Sequence, residues 1–134
     1  DVHAAIGLAQ LQKLDQFNAA RIENAHYLSE HLAGVITPVE PEGRTHVFHQ
    51  YTIRVSDGRR DDLIDHLHEN DIGCGVYYPV PIHKQTFYVN ELGYDETFPE
   101  AEKAAEEVIS LPVHPALSQD DLDKIIETVN GFMG

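Results

Sequence analysis

The chain has 134 residues, 42% of them hydrophobic and 24% charged, a balance typical of one soluble globular domain with its own hydrophobic core. Acidic residues outnumber basic ones 23 to 9, and the formal net charge of −14 disfavours binding to nucleic acid or to anionic membranes through long-range repulsion. No stretch approaches the roughly 20 apolar residues that cross a bilayer, and no secretory signal is evident, so the sequence predicts a cytoplasmic protein.

Two further features of the composition bear on the source and the extent of the protein. Cys74 is the only cysteine, which excludes an internal disulfide and fits a reducing compartment. The acidic residues are spread along the chain as on a solvated surface, and we hypothesise a source that lives in high salt, where screening weakens their repulsion. The chain begins at Asp1 without an initiator methionine, which suggests a part of a longer protein.

The first predicted element is a long amphipathic helix. Apolar residues recur at helical spacing from Ala4 to Leu32, and Gly34 is the expected stop. A helix of about 30 residues exceeds the usual range of roughly 8 to 20. We therefore expect it to kink, or to reach beyond this domain as a linker between two domains.

An alternating segment from His46 to Val55 predicts a central β-strand. One side of this strand is predicted to carry Val47, His49, Tyr51, Ile53 and Val55. The turn Ser56–Gly58 offers cap chemistry for a second helix, which is expected to end near Asn70. The buried face of that helix is predicted to comprise Leu63, Ile64 and Leu67.

The second half of the chain alternates extended pieces with helices. Ile72–Tyr78 is extended and leads into a proline-rich loop, and Ser110–Pro115 is a second short extended piece. Capping boxes are predicted at Thr97–Glu100 and Ser118–Asp121, each opening an amphipathic helix. The inner face of the first of these helices is predicted to comprise Ala101, Ala104, Ala105 and Val108. The order predicts an α+β fold, with one small, mainly antiparallel sheet and helices packed on one side.

Nine histidines invite a metal-site hypothesis, which their spacing does not support. His46 and His49 would face opposite sides of a strand, and His66 and His68 would lie about 200° apart around a helix. Neither pair can chelate one ion locally. The sequence therefore predicts no metal site. Cys74 has no cationic neighbour in sequence and is expected to be a small buried side chain, not a nucleophile.

The segment Tyr77–Gln85 is the richest in candidate binding groups. Pro79 and Pro81 fix their own φ angles and favour extended geometry at the residue before each of them. The loop offers aromatic faces, hydroxyls, an imidazole and an amide, which suit a hydroxyl-rich or phosphorylated ligand. These groups belong to Tyr77, Tyr78, His83, Lys84 and Gln85. On composition alone, an ordered surface loop without function is the alternative.

Five short segments follow one another in order along nearly the whole chain. They are Ala4–Leu11 with Leu14–Asp15, His49–Tyr51, Tyr78–His83, Phe98–Glu102 and Ser110–Pro112. Together they resemble the C-terminal part of the DegT/StrS family of aminotransferases, which aminate keto-sugars carried on nucleotides. One such segment alone would be a weak signal, whereas five in this order are hard to obtain by chance.

The resemblance implies a pyridoxal-phosphate-dependent enzyme of fold-type I, in which a large domain carries the cofactor lysine and a small C-terminal domain closes over the site. Residues 1–134 would be the small domain alone, with residues 1–33 as its linker helix. None of the four lysines is in a sequence setting that suits the cofactor, so no catalytic or cofactor-binding residue is expected here. The parent would be a homodimer that uses a nucleotide-linked sugar and an amino donor in cell-surface polysaccharide or sugar biosynthesis.

The resemblance also implies that the loop Tyr77–Gln85 faces the active site. It assigns substrate binding to Tyr77, Tyr78, His83 and Gln85, with roles in orientation and specificity. Many family members have histidine at the position of Tyr77, where this chain has a phenol that is neutral near pH 7. The preferred sugar is therefore not predicted.

Two other functions are compatible with the sequence. A small α+β domain can act as a stand-alone ligand-binding or regulatory module without a catalytic partner. It can also serve dimerisation through its first helix, whose exposed apolar face would otherwise favour association. An open reading frame that starts at or near Asp1 would favour either function over an enzyme part.

Overall fold

A two-stranded antiparallel sheet lies at the centre of the fold. The computed structural model describes residues 1–134, with β1 at Tyr51–Arg54 and β2 at Val108–Leu111. Ile36 forms an antiparallel bridge to β1 and Gly75 forms one to β2, so further segments of backbone flank the two strands. The predicted small antiparallel sheet is confirmed.

Helices make up most of the rest of the chain. The five α-helices are α1 Val2–Leu11, α2 Leu14–His31, α3 Arg60–Glu69, α4 Pro99–Glu107 and α5 Gln119–Met133. A single 3₁₀ turn at Ile82–Lys84 and a π turn at Phe87–Glu91 lie in the connection between α3 and α4. The α+β class is confirmed. None of the helices combines the length and the apolar character that crossing a membrane requires.

The core lies on one face of the sheet. This face consists of Tyr51, Ile53, Ile109 and Leu111, all buried. Against it pack the apolar stripes of three helices, which belong to one continuous cluster. The buried members of these stripes are Ala25 and Leu28 of α2, Leu63 and Leu67 of α3, and Leu122, Ile125 and Val129 of α5.

The opposite face of the sheet is polar. Thr52 Oγ1 and Ser110 Oγ form a cross-strand hydrogen bond of 2.8 Å. Next to them, Arg54 Nη2 lies 2.6 Å from the Glu107 carboxylate. The two faces of the sheet therefore differ in kind: one anchors α2, α3 and α5, and the other presents hydrogen-bonding groups.

The predicted first helix is two helices in the structure. α1 ends at Leu11 and α2 begins at Leu14, and the Lys13 N–H donates to Gln10 O in a tighter turn between them. No proline or glycine marks this break, so composition could not locate it. All ten residues of α1 are exposed, whereas α2 buries Ala25 and Leu28 in the core.

The predicted strand from His46 begins only at Tyr51. Phe48 has a φ of 44°, a left-handed conformation that ends the alternation of side chains. As a result Phe48 is buried in the core, while Val47 and His49, which were expected on the inner side, are exposed. The assignment of those two residues to the buried face was wrong, and that of Tyr51 and Ile53 was correct.

One of the two predicted capping boxes is present. Ser118 caps α5, with its Oγ accepting from the Asp121 N–H and the Asp121 carboxylate accepting from the Ser118 N–H. At α4 the predicted box is wrong, because the helix starts one residue later than expected and Phe98 is its N-cap. The carboxylate that accepts the Phe98 N–H belongs to Glu102, at 2.9 Å.

The Ser118 cap gives a measurable contribution to stability. We expect Ser118→Ala to lower the free energy of unfolding by about 1 kcal/mol, because it removes the acceptor of one otherwise unsatisfied helix N–H. Urea unfolding monitored by far-ultraviolet circular dichroism measures this change. Thr97→Ala is the matched control, since Thr97 makes no capping bond at α4. Equal losses in the two variants would contradict the assignment of the cap.

Candidate functional site

The proline-rich loop and α4 enclose a mainly apolar pocket of about 670 Å³, which we call the loop pocket. Its walls come from the loop, from α4 and from the start of β2. The lining residues are Tyr77, Tyr78, Val80, Pro81, Ile82, His83, Gln85, Ala101, Ala104, Ala105 and Val108. All four candidate substrate residues of the loop therefore line one pocket, and the predicted inner face of α4 forms its other side.

His83 is held in place by Glu102 of α4. Its side chain is almost buried, and its Nε2 lies 2.9 Å from Glu102 Oε1. The imidazole also packs edge-on against Phe98, with ring centroids 4.8 Å apart. Glu102 Oε1 accepts the Phe98 N–H as well and lies 3.5 Å from Lys84 Nζ. One carboxylate thus ties the end of the loop to the first turn of α4.

One ring nitrogen of His83 has no partner within the chain. Only Nε2 takes part in a hydrogen bond. Every fully buried side-chain nitrogen and oxygen has a partner, so Nδ1, which has none, keeps contact with solvent. Glu102 therefore orients His83 and fixes the tautomer of its ring, because the carboxylate accepts the hydrogen bond from Nε2. The other ring nitrogen, Nδ1, remains available to a ligand.

The link between Glu102 and His83 is sensitive to pH. The hydrogen bond from His83, followed by that from the Phe98 N–H, lowers the pKa of Glu102 below its ordinary value of 4.5. A carboxyl group with a lower pKa in the folded chain stabilises the fold above its unfolded pKa, and this contribution disappears as the pH falls through the folded value. The attachment of the loop to α4 should therefore weaken below pH 4.5 and persist above it.

We expect Glu102→Gln to remove this pH dependence. Hydrogen exchange of the Phe98 amide, followed from pH 6 to pH 3, measures the attachment directly. The wild-type amide should lose protection in the acidic range, whereas the variant amide, which faces an acceptor that does not titrate, should show no such transition. Glu106→Gln is the control, because Glu106 is exposed on the same helix and makes no ion pair. An unchanged acidic transition in Glu102→Gln would contradict the assignment.

Tyr77 folds back over Gly75. A Cβ placed on Gly75 would lie 2.6 Å from the Tyr77 hydroxyl oxygen and 2.7 Å from two ring carbons, closer than any real contact. The backbone of Gly75 also pairs with Ser110 of β2, so it cannot move aside. A larger residue here would displace the Tyr77 ring, so Gly75 is what lets the phenol lie against the edge of the sheet. Half of the Tyr77 side chain stays exposed.

A second pocket, of about 580 Å³, lies on the other side of Tyr77, and we call it the polar pocket. Its lining residues are Arg21, His49, Gln50, Gly73, Cys74, Gly75, Tyr77, Ser110, Leu111, Pro112, Val113 and His114. These residues come from α2, from the segment before β1, from the edge of the sheet and from the segment after β2. Sequence reasoning missed this pocket, since no local spacing relates Arg21 to His49 or His114.

Cys74 and the remaining histidines form no metal-binding group. Cys74 is half-buried, its Sγ lies 3.6 Å from His68 Nε2, and burial raises the pKa of the thiol. A raised pKa keeps the sulfur protonated and unreactive. His66 packs against Phe132 of α5, with ring centroids 5.4 Å apart. No three histidine, cysteine or acidic side chains are placed to hold one ion.

The lysines of the chain do not suit pyridoxal phosphate. Lys13, Lys103 and Lys124 are exposed. Lys84 and Lys103 each have a carboxylate oxygen nearby, at 3.5 and 3.9 Å, and Lys84 Nζ also donates to a backbone carbonyl. A lysine that binds this cofactor covalently needs a desolvated or cation-flanked amine. The four lysines of this chain therefore do not fit covalent binding of pyridoxal phosphate.

The α+β fold matches that of a known aminotransferase. The sequence profile of the DegT/DnrJ/EryC1/StrS aminotransferase family matches residues 1–130. The chain belongs to this family.

Three similar proteins illustrate the relationship. A "Pleiotropic regulatory protein" of Geobacillus stearothermophilus is 41% identical over 98% of this chain, and the match covers 36% of that protein. The dTDP-3-amino-3,6-dideoxy-alpha-D-galactopyranose transaminase of Aneurinibacillus thermoaerophilus is 33% identical over 98% of this chain and is also covered to 36%. The crystal structure of DesV from S. venezuelae, in complex with a ketimine intermediate, superposes with a TM-score of 0.89 at 32% identity, covering 97% of this chain and 35% of DesV. The chain thus spans about a third of the length of the relatives it matches.

Proposed function

We propose that residues 1–134 are the C-terminal small domain of a pyridoxal-phosphate-dependent aminotransferase that transfers an amino group to a nucleotide-linked keto-sugar. The observation that carries this proposal is the match of the aminotransferase family over residues 1–130, together with the share of about a third of each relative that the chain spans. The large domain would supply the cofactor lysine, which agrees with the exposed or ion-paired settings of the lysines here.

The loop pocket is the proposed contact with the sugar. Tyr78 is largely exposed and offers a hydroxyl and an aromatic face, and Gln85 offers an amide. His83 would present Nδ1 while Glu102 holds the ring. Tyr77 would form a wall of the site. Hydroxyl and amide groups and an imidazole nitrogen beside apolar surface suit a sugar, which has polar edges and apolar faces.

The two helices at the start of the chain would connect the domain to the rest of the enzyme. α1 has no buried residue and exposes Val2, Ile6, Leu8 and Leu11. Isolated apolar residues on a surface are common, but a whole exposed helix with four of them fits an element covered by another part of the protein. We infer a linker role for residues 1–33 and a homodimeric, cytoplasmic parent enzyme, with the acidic surface suited to high salt.

The experiment that tests this function is turnover by the full-length protein. Supplied with pyridoxal phosphate, an amino donor such as glutamate and nucleotide-linked keto-sugars, it should form the nucleotide-linked amino-sugar, detected by mass spectrometry. The excised residues 1–134 should not. Failure of the full-length protein with every keto-sugar, while it still binds the sugars, would instead favour a ligand-binding or regulatory role.

A regulatory role is the second candidate. The relative from Geobacillus stearothermophilus carries the name of a regulatory protein at 41% identity. The two roles differ in one observable, since a regulator without transaminase activity requires no cofactor lysine upstream of Asp1. The sequence of the parent reading frame before Asp1 decides between them.

A further inference from the structure

The polar pocket differs in charge from the rest of the molecule. The chain carries 23 acidic residues among 134, and twelve residues line the polar pocket. If acidic residues were distributed evenly, about two of the twelve would be acidic. None of the twelve is acidic. The net charge of −14 repels anions at long range, so a site for an anion on this chain requires a local group of donors that is free of carboxylates. The lining of the polar pocket meets that requirement, and the Asp121 carboxylate acts on His114 only from outside this lining.

Arg21 is the charged group of this pocket, and nothing in the chain pairs with it. Four arginines, Arg21 among them, are half-buried in the fold. Three of them have partners: Arg54 has the Glu107 carboxylate at 2.6 Å, Arg59 donates to Phe132 O at 2.7 Å, and Arg60 donates to two backbone carbonyls at 3.3 Å. The Arg21 guanidinium has neither a carboxylate within ion-pair distance nor a hydrogen-bond acceptor in the chain. Its five donors remain available.

Further donors surround the same space. His49 and His114 carry imidazole N–H groups, and Gln50 carries an amide NH₂. None of these three side chains forms a hydrogen bond within the chain. At His114 only the backbone carbonyl accepts, from Asn24 Nδ2 and from the Leu117 N–H. A guanidinium with neighbouring N–H groups matches the oxygen pairs of carboxylates and phosphates, which it binds with two parallel hydrogen bonds.

We propose that the polar pocket binds the oxyanion of a small substrate, a carboxylate or a phosphate, through Arg21. The inference rests on the proposed function, which supplies both kinds of anion: the amino donor carries carboxylates and the nucleotide-linked sugar carries phosphates. Tyr77 lines both pockets, so an anion held by Arg21 would lie directly beside a ligand in the loop pocket. The two pockets would then hold the charged and the uncharged parts of the substrates.

The test measures binding by the full-length protein and needs no turnover. Isothermal titration with glutarate, inorganic phosphate and uridine diphosphate compares the wild type with Arg21→Gln and Arg44→Gln. Arg44 is exposed and has no side-chain partner, so its variant makes the same change of charge elsewhere. We expect Arg21→Gln to weaken at least one probe by about tenfold or more, and Arg44→Gln to leave it unchanged. The probe that responds identifies the source of the anion.

Arg21→Lys adds a test of geometry, since lysine keeps the charge but loses the planar fork. Equal binding of all three probes by wild type and Arg21→Gln, or binding of no probe by the wild type, would overturn the proposal. If Arg21→Gln does not fold, phenylglyoxal modification of the wild type decides the matter. The responding probe should protect Arg21 and not Arg44. An Arg21 that is unreactive without any probe would overturn the proposal, because the rest of the parent protein would then cover the pocket. Because these are binding measurements, a failure of transamination alone would count against the proposed function and not against this site.

Discussion

Leu28→Ala should lower the free energy of unfolding by about 2–5 kcal/mol, the range observed when a fully buried leucine is truncated. Leu28 is completely buried on α2, where it belongs to the cluster on the inner face of the sheet. The truncation leaves a cavity between α2 and the sheet that neighbouring side chains fill only in part. Because the whole stability of a domain is about 5–15 kcal/mol, this one substitution is expected to remove a large share of it.

Urea unfolding provides the measurement for this prediction, and Leu92→Ala is its control. Leu92 undergoes the same chemical change, but its side chain is 55% exposed in the loop before α4. We expect the control to change stability by less than about 0.5 kcal/mol. A loss below about 1 kcal/mol for Leu28→Ala would mean that α2 is not anchored in the core as the structure has it.

His83→Ala in the full-length enzyme should reduce kcat/KM for the keto-sugar by about 10- to 100-fold, the equivalent of one or two lost hydrogen bonds at the site. The substitution removes both the unpaired ring nitrogen and the link to Glu102. The absorbance of the bound cofactor should not change, because His83 is assigned to the sugar. His68→Ala is the control, with an exposed imidazole outside the loop pocket.

Two further variants separate contact from positioning at this site. Tyr78→Phe removes only a hydroxyl and should raise KM for the sugar without affecting the loop. Glu102→Gln keeps the size of the side chain but weakens its hold on His83, so the difference in activity between variant and wild type should shrink as the pH falls and the wild-type Phe98 amide loses protection. Loss of cofactor absorbance in His83→Ala, with the sugar KM unchanged, would show that the residue had been assigned to the wrong ligand.

Local patterns predicted those parts of the fold that depend on neighbouring residues. The Ser118 capping box, the end of α3 at Asn70 and the inward face of β1 follow from side chains a few positions apart. The candidate residues of the loop were likewise visible, because Pro79 and Pro81 stiffen a short segment that is rich in donors. All four residues line one pocket together with α4, as expected if they act at one site. Their contact with a substrate stays a prediction.

The features that sequence reasoning missed depend on distant parts of the chain. Phe48 adopts a left-handed conformation that packs its ring into the core, and nothing in the residues around it signals this choice. The Phe98 N–H is accepted by Glu102, which is also bound to His83, so the cap of α4 belongs to a tertiary contact. The polar pocket joins Arg21 to residues near 50, 75 and 112, a combination that only the folded sheet produces.

The central claim is that this domain shapes the sugar site of an aminotransferase whose cofactor chemistry lies elsewhere in the protein. Borohydride treatment of the full-length protein with pyridoxal phosphate, followed by peptide mapping, tests it most directly. We predict one modified lysine, outside these 134 residues, whose replacement abolishes amination of the keto-sugar. Modification of Lys13, Lys84, Lys103 or Lys124 as the functional site, or no incorporation of the cofactor at all, would contradict the claim.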